Sequence, residues 1–186
     1  MWCGDKMITK AADIGNKELD KLLISEIIGG RCTGDRVIEL VGNGADVNAK
    51  NVYGRSALAA AAFYGNVEVV KALKELGADA NLKSNDGSTA MHEAAQRGGR
   101  GNIEVVRLLK GYGCEINQFN RQWMMPIHYA VLNDDSDMIR TLHELGANIY
   151  AYNGFTLLEI ASRHDNLNAI ATLNELYALD RARLHR

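Results

Sequence analysis

Proline and cysteine are both scarce in this chain. One proline stands against 18 glycines among 186 residues, which favours helical segments that end at glycine rather than at rigid proline turns. The three cysteines, Cys3, Cys32 and Cys114, form no close pair, so they exclude a disulfide framework and a Cys-x-x-Cys metal knuckle. This cysteine usage is typical of a reducing compartment.

The sequence also lacks an excess of either charge and any long apolar run. Lysine and arginine total 21 against 23 for aspartate and glutamate, so there is no global positive field to collect a nucleic-acid backbone. No stretch approaches the roughly 20 apolar residues of a membrane span, and the N-terminal residues lack the apolar core of a secretion signal. We therefore expect a cytoplasmic protein that binds neither nucleic acid nor membrane.

Three sets of equivalent positions repeat along the chain. The first set opens phrases such as Gly-Ala-Asp-Val-Asn and is spaced by 33, 36 and 33 residues: Gly44, Gly77, Gly113 and Gly146. The second set is spaced by 33, 36 and 31 residues: Gly54, Gly87, Trp123 and Gly154. The third set has the same spacing as the second: Gly65, Gly98, Asp134 and Asp165. A fixed period of this length is the signature of a solenoid of stacked repeats.

Within each period the pattern predicts two short helices and a turn. The predicted pairs are 56–64 with 67–76, 89–97 with 103–112, 125–133 with 138–145, and 156–164 with 167–177. Asp134 and Asp165 replace the glycine between two helices, and aspartate tolerates the left-handed conformation that this turn needs. Leu73 and Leu108 are predicted on the inward faces of second helices.

Two segments carry a family resemblance. Gly-Ser-Thr-Ala-Met-His-Glu-Ala-Ala at 87–95 and Pro-Ile-His-Tyr-Ala at 126–130 resemble the ankyrin repeat, whose signature is close to Thr-Pro-Leu-His-x-Ala-Ala. The resemblance implies an all-α solenoid of about five helix-turn-helix units, the first irregular, with a concave face made of loop tips and first helices. The departures from the signature are Ala59 and Glu159 in place of histidine, Trp123 in place of a turn glycine and Met125 in place of threonine.

The chain is expected to form a single repeat domain over residues 1–186. Its divisions are an irregular N-terminal capping unit at 1–50, central repeats at 51–83, 84–119 and 120–150, and a C-terminal capping repeat at 151–186. The N-terminal unit has two interpretations. One places helices at 19–28 and 35–41, and the other makes residues 7–28 a complete extra helix pair. In both, this unit hides the apolar end of the stack.

Candidate catalytic and metal-binding groups are few. His92 and His128 occupy the same repeat position, where the resemblance implies an imidazole that hydrogen-bonds backbone groups between repeats. No third ligand follows at a suitable spacing, and Cys114 stands where other repeats have alanine, which favours packing. We predict no enzymatic activity, no catalytic or metal site and no cofactor.

The glycine-rich segment 97–102 has two interpretations. Its glycines could expose backbone N–H groups to a phosphate or an acidic peptide, because a helix begins immediately afterwards. It lacks the Lys-Ser/Thr of a nucleotide-binding loop, however, so the favoured interpretation is a connection lengthened by three flexible residues.

Large aromatic, arginine and methionine residues lie beside the second set of markers and at the ends of the first helices. Solvent exposure alone gives no reason to place them on one side of a solenoid, and such residues dominate binding hot spots. We predict a partner-binding surface that comprises Tyr53, Arg55, Phe63, Tyr64, Arg97, Trp123, Met124, Leu132 and Phe155.

These observations predict a monomeric protein-protein interaction module, an adaptor or inhibitor that binds another protein through its concave face. The resemblance also extends to effectors that bacterial pathogens secrete, and that role would place the protein in the host cytosol. The alternative is a targeting fragment of a larger multidomain enzyme or effector, with its chemistry elsewhere.

Overall fold

Ten helices and no strand form in the computed structural model, which describes residues 5–184. The helices are α1 (Asp5–Ile28), α2 (Gly34–Gly42), α3 (Ala57–Phe63), α4 (Val67–Glu75), α5 (Ala90–Arg97), α6 (Arg100–Gly111), α7 (Pro126–Leu132), α8 (Ser136–Glu144), α9 (Leu157–Arg163) and α10 (Leu167–Leu184). Each odd-numbered helix packs against the even-numbered helix that follows it. The prediction of an all-α array of about five helix pairs is therefore confirmed.

The pairs stack in chain order and form two layers. The first layer contains α1, α3, α5, α7 and α9, each in contact with the next, and the second layer contains α2, α4, α6, α8 and α10 in the same arrangement. Five of the six residues from Ala57 to Ala62 in α3 are alanines, and all six are buried. Their small side chains permit this close approach. No helix within residues 5–184 combines the length and apolarity that crossing a membrane would require.

The turns between paired helices need left-handed backbone. Gly65 has a φ of 65°, and Asp134 and Asp165 have φ values of 53° and 55° at the equivalent positions. The predicted substitution of aspartate for glycine is confirmed. Asp134 has a further function, because its carboxylate accepts hydrogen bonds from Ala169 N and Asn168 Nδ2 of the next pair, each at 2.7 Å.

Asparagines explain why the Gly-Ala-Asp-Val-Asn phrase repeats. The side-chain oxygens of Asn48, Asn81 and Asn117 accept hydrogen bonds from backbone N–H groups one repeat later, at 2.9 to 3.0 Å. The amide groups of Asn81 and Asn117 donate to the carbonyls of Gly113 and Gly146. One polar side chain thus bonds a donor and an acceptor in the next repeat, which fixes the spacing between repeats.

Leucine burial corrects one sequence prediction. Leu73 is fully buried as expected, but Leu108 is only half-buried, and its neighbour Leu109 takes the buried place in α6. Leu109 lies 36 residues after Leu73, which is the spacing of the repeat markers at this point in the chain. The prediction for Leu108 was therefore wrong by one residue.

The N-terminal unit also separates the two sequence interpretations. Helix α1 runs without a break through Gly15, so the interpretation of residues 7–28 as a complete extra pair is wrong. The other interpretation holds in outline, because a turn at Gly29 and Gly30 leads to α2, which Thr33 caps by accepting a hydrogen bond from Arg36 N. Cys3 lies outside the described residues.

The glycine-rich segment becomes helix rather than a longer loop. Helix α6 starts at Arg100, so most of the three extra residues form its first turn after Gly98 and Gly99, both with positive φ. The carboxylate of Asp135 accepts a hydrogen bond from Gly99 N at 3.3 Å. Because a negative charge already lies there, the segment does not suit a phosphate.

Gly54 lies at a close contact between adjacent tips, which gives a testable prediction. A Cβ atom on Gly54 would lie 2.8 Å from the backbone N of Asn85, whereas one on Gly154, at the equivalent position, would meet nothing within 4 Å. Both glycines have positive φ. We expect Gly54→Ala to lower the free energy of unfolding by at least about 1 kcal/mol more than Gly154→Ala, as urea titration would measure. Equal losses would contradict the close approach of the first two tips.

Candidate functional site

The loop tips before the first-layer helices lie side by side. Asn85 N donates to the carbonyl of Tyr53 at 3.0 Å, and Arg121 N donates to the carbonyl of Asp86 at 2.8 Å. Backbone hydrogen bonds therefore join the first three tips. The fourth tip meets the third differently, through a contact of 2.9 Å between Asn153 Nδ2 and Met124 Sδ.

An aromatic and arginine cluster forms behind the first two tips. The guanidinium of Arg55 lies 5.1 Å from the ring centroid of Phe63, and that of Arg97 lies 5.6 Å from it. Tyr64 packs edge-on against Phe63 with the ring centroids 5.2 Å apart. The structure thus brings together four of the sequence-predicted residues, from two different repeats, in an arrangement that favours cation–π attraction.

Trp123 is held in an unfavourable backbone conformation. Its φ is 57°, in the left-handed region where the other three repeats have glycine, and its side chain is 67% exposed. The contact found for the indole is an edge-on approach to Phe119, with centroids 5.9 Å apart. A bulky residue in this region costs of the order of 1 to 3 kcal/mol.

The remaining predicted residues differ in exposure. Tyr53 is 74% exposed, and Phe155 is 39% exposed with the guanidinium of Arg163 at 3.7 Å from its ring centroid. Met124 and Leu132 are half-buried, and Leu132 packs against the core. These two residues therefore offer less free surface than the sequence prediction assumed.

His92 uses both ring nitrogens, one within its own repeat and one to join the next repeat. Its Nδ1 accepts from Thr89 N at 3.2 Å, and its Nε2 therefore carries the proton and donates to the carbonyl of Met124 at 3.1 Å. Burial lowers the pKa of His92, which keeps the ring neutral. The role of a strut between repeats, which the resemblance implied, is confirmed for this residue.

His128 repeats only half of that arrangement. Its Nδ1 accepts from Met125 N at 3.0 Å, but its Nε2 is buried without a hydrogen-bond partner. The tip of the next repeat is two residues shorter than the tip that presents the Met124 carbonyl to His92, and no carbonyl bonds His128 Nε2. Burial lowers the pKa of His128 to about 4, and the ring is neutral at physiological pH.

The buried thiols are placed for packing. Cys32 and Cys114 are both buried, and burial raises each thiol pKa to about 11, so neither forms the thiolate that a nucleophile needs. Cys114 Sγ lies 3.2 Å from the carbonyl of Ala80. Among the side chains that the structure describes, those of residues 16–183 except residue 101, no group of three or more His, Cys, Asp or Glu is placed to hold a metal ion.

Comparison with known proteins identifies the architecture. A sequence profile described as ankyrin repeats (3 copies) matches residues 11–120 and 101–180, which is most of the chain. The chain belongs to the ankyrin repeat family. Ankyrin repeats are generally protein-protein interaction modules, so the array of helix pairs is a scaffold of that kind.

Several curated proteins share this ankyrin region. The putative ankyrin repeat protein FPV014 of fowlpox virus (strain NVSL) is 32% identical over 133 residues, or 70% of this chain and 30% of that protein. The mitochondrial disaggregase of Bos taurus is 32% identical over 145 residues, or 76% and 21%. The inactive serine/threonine-protein kinase TEX14 of Mus musculus is 39% identical over 69 residues, or 37% and 5%. This chain thus spans less than a third of each of these relatives.

The ankyrin tips expose two apolar residues that sequence reasoning missed. Val52 is 86% exposed and Tyr152 is 64% exposed, and each lies two residues before a marker glycine. The prediction considered only the immediate neighbours of those glycines. Counting back two residues from every marker would have found both, together with the exposed residues Asn85 and Arg121.

Proposed function

We propose that this ankyrin array is an adaptor or inhibitor that binds another protein on its tip face. The tip face comprises the nine predicted residues, Tyr53, Arg55, Phe63, Tyr64, Arg97, Trp123, Met124, Leu132 and Phe155, together with Val52 and Tyr152. Its composition, rich in tyrosine, tryptophan and arginine, is that of binding hot spots.

Trp123 carries the proposal. The fold gains little from this side chain, which is exposed, contacts one ring edge-on and requires positive φ where glycine would be unstrained. Strained residues of this kind cluster at functional sites. Anchoring a partner accounts for a large aromatic residue at this position.

The arginine cluster gives the same surface a preformed shape. Phe63 holds Arg55 and Arg97 from two repeats, and Glu93 binds Arg55 at 3.0 Å between Oε1 and Nε. These contacts restrict the rotamers of long side chains before a partner arrives. Such preorganisation lowers the entropy cost of association.

Trp123→Gly should separate binding from folding. Glycine removes the indole and relieves the backbone strain, so we expect the free energy of unfolding to stay within about 1 kcal/mol of wild type. Affinity for the partner should fall by more than about 1 kcal/mol, or about fivefold. Thermal unfolding followed by circular dichroism and titration of the purified partner measure the two effects.

The partner is first identified by comparing variants. Immobilised wild type, Trp123→Gly and Leu167→Ala are each used to capture proteins, which mass spectrometry identifies. Leu167 is 72% exposed and lies at the start of α10, outside the tip face, so it provides a matched loss of exposed apolar surface. Proteins lost with Trp123→Gly and kept with Leu167→Ala are the partners. Full retention by Trp123→Gly would overturn the proposal.

A second candidate function follows from the comparisons. Because the matched relatives are much longer than this chain, the array is also suited to target a larger enzyme or effector whose chemistry lies in other segments. A full-length reading frame and a native mass measurement distinguish this arrangement from a free-standing adaptor or host-cell effector.

A further inference from the structure

A cavity lies between the first and second tips, beside the aromatic and arginine cluster. Its volume is about 290 Å³, which is room for one side chain rather than for a folded domain. The residues that line it are Tyr53, Arg55, Ser84, Asn85, Asp86 and Glu93. The backbone hydrogen bond from Asn85 N to the Tyr53 carbonyl closes the side where the two tips meet.

Glu93, which lines this cavity, has a buried acceptor without a donor. Glu93 is only 4% exposed. Its Oε1 accepts a hydrogen bond from Arg55 Nε at 3.0 Å, and its Oε2 has no hydrogen-bond partner. A buried carboxylate oxygen without a donor is costly. Burial raises the pKa of Glu93 to about 6, although the charge of Arg55 opposes that shift.

Asp86, the second carboxylate, is already satisfied. It accepts hydrogen bonds from the hydroxyls of Ser84 and Ser88 and from Ser88 N. Although partial desolvation opposes them, these bonds lower the pKa of Asp86. Asp86 and Glu93 are therefore two negative charges against the single positive charge of Arg55. Arg55 is itself committed to Glu93 Oε1 and to the face of Phe63. The charges of the residues that line the cavity thus sum to −1, and Glu93 Oε2 is left without a donor.

The mouth of the cavity adds an aromatic wall. Tyr53 is 74% exposed on the first tip and lines the same cavity. A planar guanidinium can stack on an aromatic ring while its edge donates to a carboxylate, which an ammonium group does less well. Charge, acceptor and ring therefore specify one kind of occupant.

We propose that this cavity receives an arginine side chain of the bound partner, which donates to Glu93 Oε2 and stacks on Tyr53. The inference rests on the proposed function, because it names the chemistry that the partner presents to the tip face. The partner segment is thus basic at the position that faces the first two tips, with an apolar contact available at Trp123 on the third.

The test uses the peptide acetyl-glycyl-arginyl-glycinamide as the probe. The peptide is titrated into isotope-labelled protein, and binding is measured from the amide chemical shifts of the protein. We expect saturable shifts confined to residues 53–55 and 84–93. The same peptide with citrulline, which keeps the shape and loses the charge, should bind at least about fivefold more weakly. Equal binding of the citrulline peptide, or shifts scattered over other acidic residues, would overturn the inference.

Variants assign the site. Glu93→Gln should weaken binding of the arginine peptide at least about fivefold, whereas Glu75→Gln, at an exposed carboxylate in α4, should leave it unchanged. Tyr53→Ala is a second test that does not touch the core, and it should also weaken binding. Unchanged binding by Tyr53→Ala and by folded Glu93→Gln would contradict the site.

The two proposals fail separately. If Trp123→Gly loses the partner while the arginine peptide does not bind, the tip face is functional and the arginine cavity is wrong. If the peptide binds and Trp123→Gly retains every partner, the cavity recognises arginine and the tryptophan anchor is wrong.

Discussion

Leu73→Ala and Leu109→Ala should each lower the free energy of unfolding by about 2 to 5 kcal/mol. Both leucines are fully buried members of the hydrophobic core, Leu73 in α4 and Leu109 in α6. Truncation removes apolar contact and leaves a cavity that the closely packed alanines of the first layer cannot collapse to fill. Urea unfolding followed by far-UV circular dichroism measures the loss.

Leu108→Ala is the matched control for that prediction. It removes the same atoms from the adjacent residue of α6, but Leu108 is only half-buried, so we expect a loss of about 1 kcal/mol. If Leu108→Ala were as damaging as Leu109→Ala, the face of α6 that meets the core would not be the one described.

Acid should destabilise the protein through His128. The pKa of His128 is lowered from 6.5 to about 4 in the folded state, so the unfolded chain binds more protons between these values. The contribution of His128 to the free energy of unfolding is therefore fully present above pH 6.5 and is lost as the pH falls toward 4. Between about pH 7 and about pH 5 this one group should remove about 2 kcal/mol of stability. The buried His92, whose pKa is also lowered, acts in the same direction.

His128→Gln isolates this contribution, because glutamine keeps an acceptor at the helix start and does not titrate. The wild type should lose about 2 kcal/mol more than His128→Gln between those two pH values, as urea midpoints at each pH would show. Glu93 acts with the opposite sign, since its pKa is raised to about 6 and its burial costs most at higher pH. Glu93→Gln should therefore steepen the acid loss, and a parallel profile for wild type and His128→Gln would contradict the assignment.

The period of the sequence predicted most of the fold because each repeat ends its helices with the same local chemistry. Left-handed turns at Gly65, Asp134 and Asp165 separate the paired helices where the markers placed them. The errors arose where a local signal was outweighed. Gly15 resembles a turn residue, but a glycine inside a helix costs only about 1 kcal/mol, and α1 continues through it.

The tip face was less predictable because its contacts join different repeats. The type of residue and its repeat position indicated Phe63, Arg55 and Arg97 separately. The contact of both guanidinium groups with the Phe63 ring, however, depends on the distance between neighbouring repeats. Likewise, the sequence indicated Glu93 only as part of the repeat segment 87–95. That its Oε2 lacks a donor beside a cavity becomes clear only from the three-dimensional structure.

The backbone hydrogen bonds between tips have a consequence for cooperativity. In a linear array each unit is coupled only to its neighbours, so the strength of each interface decides how many units open together. The first three tips share backbone hydrogen bonds, while the fourth tip meets the third through the side chains of Asn153 and Met124. The fourth tip is therefore held less firmly than its own helices, which Asp134 and Arg140 bond to the preceding pair. Its backbone amides should exchange with solvent before those of the three preceding tips.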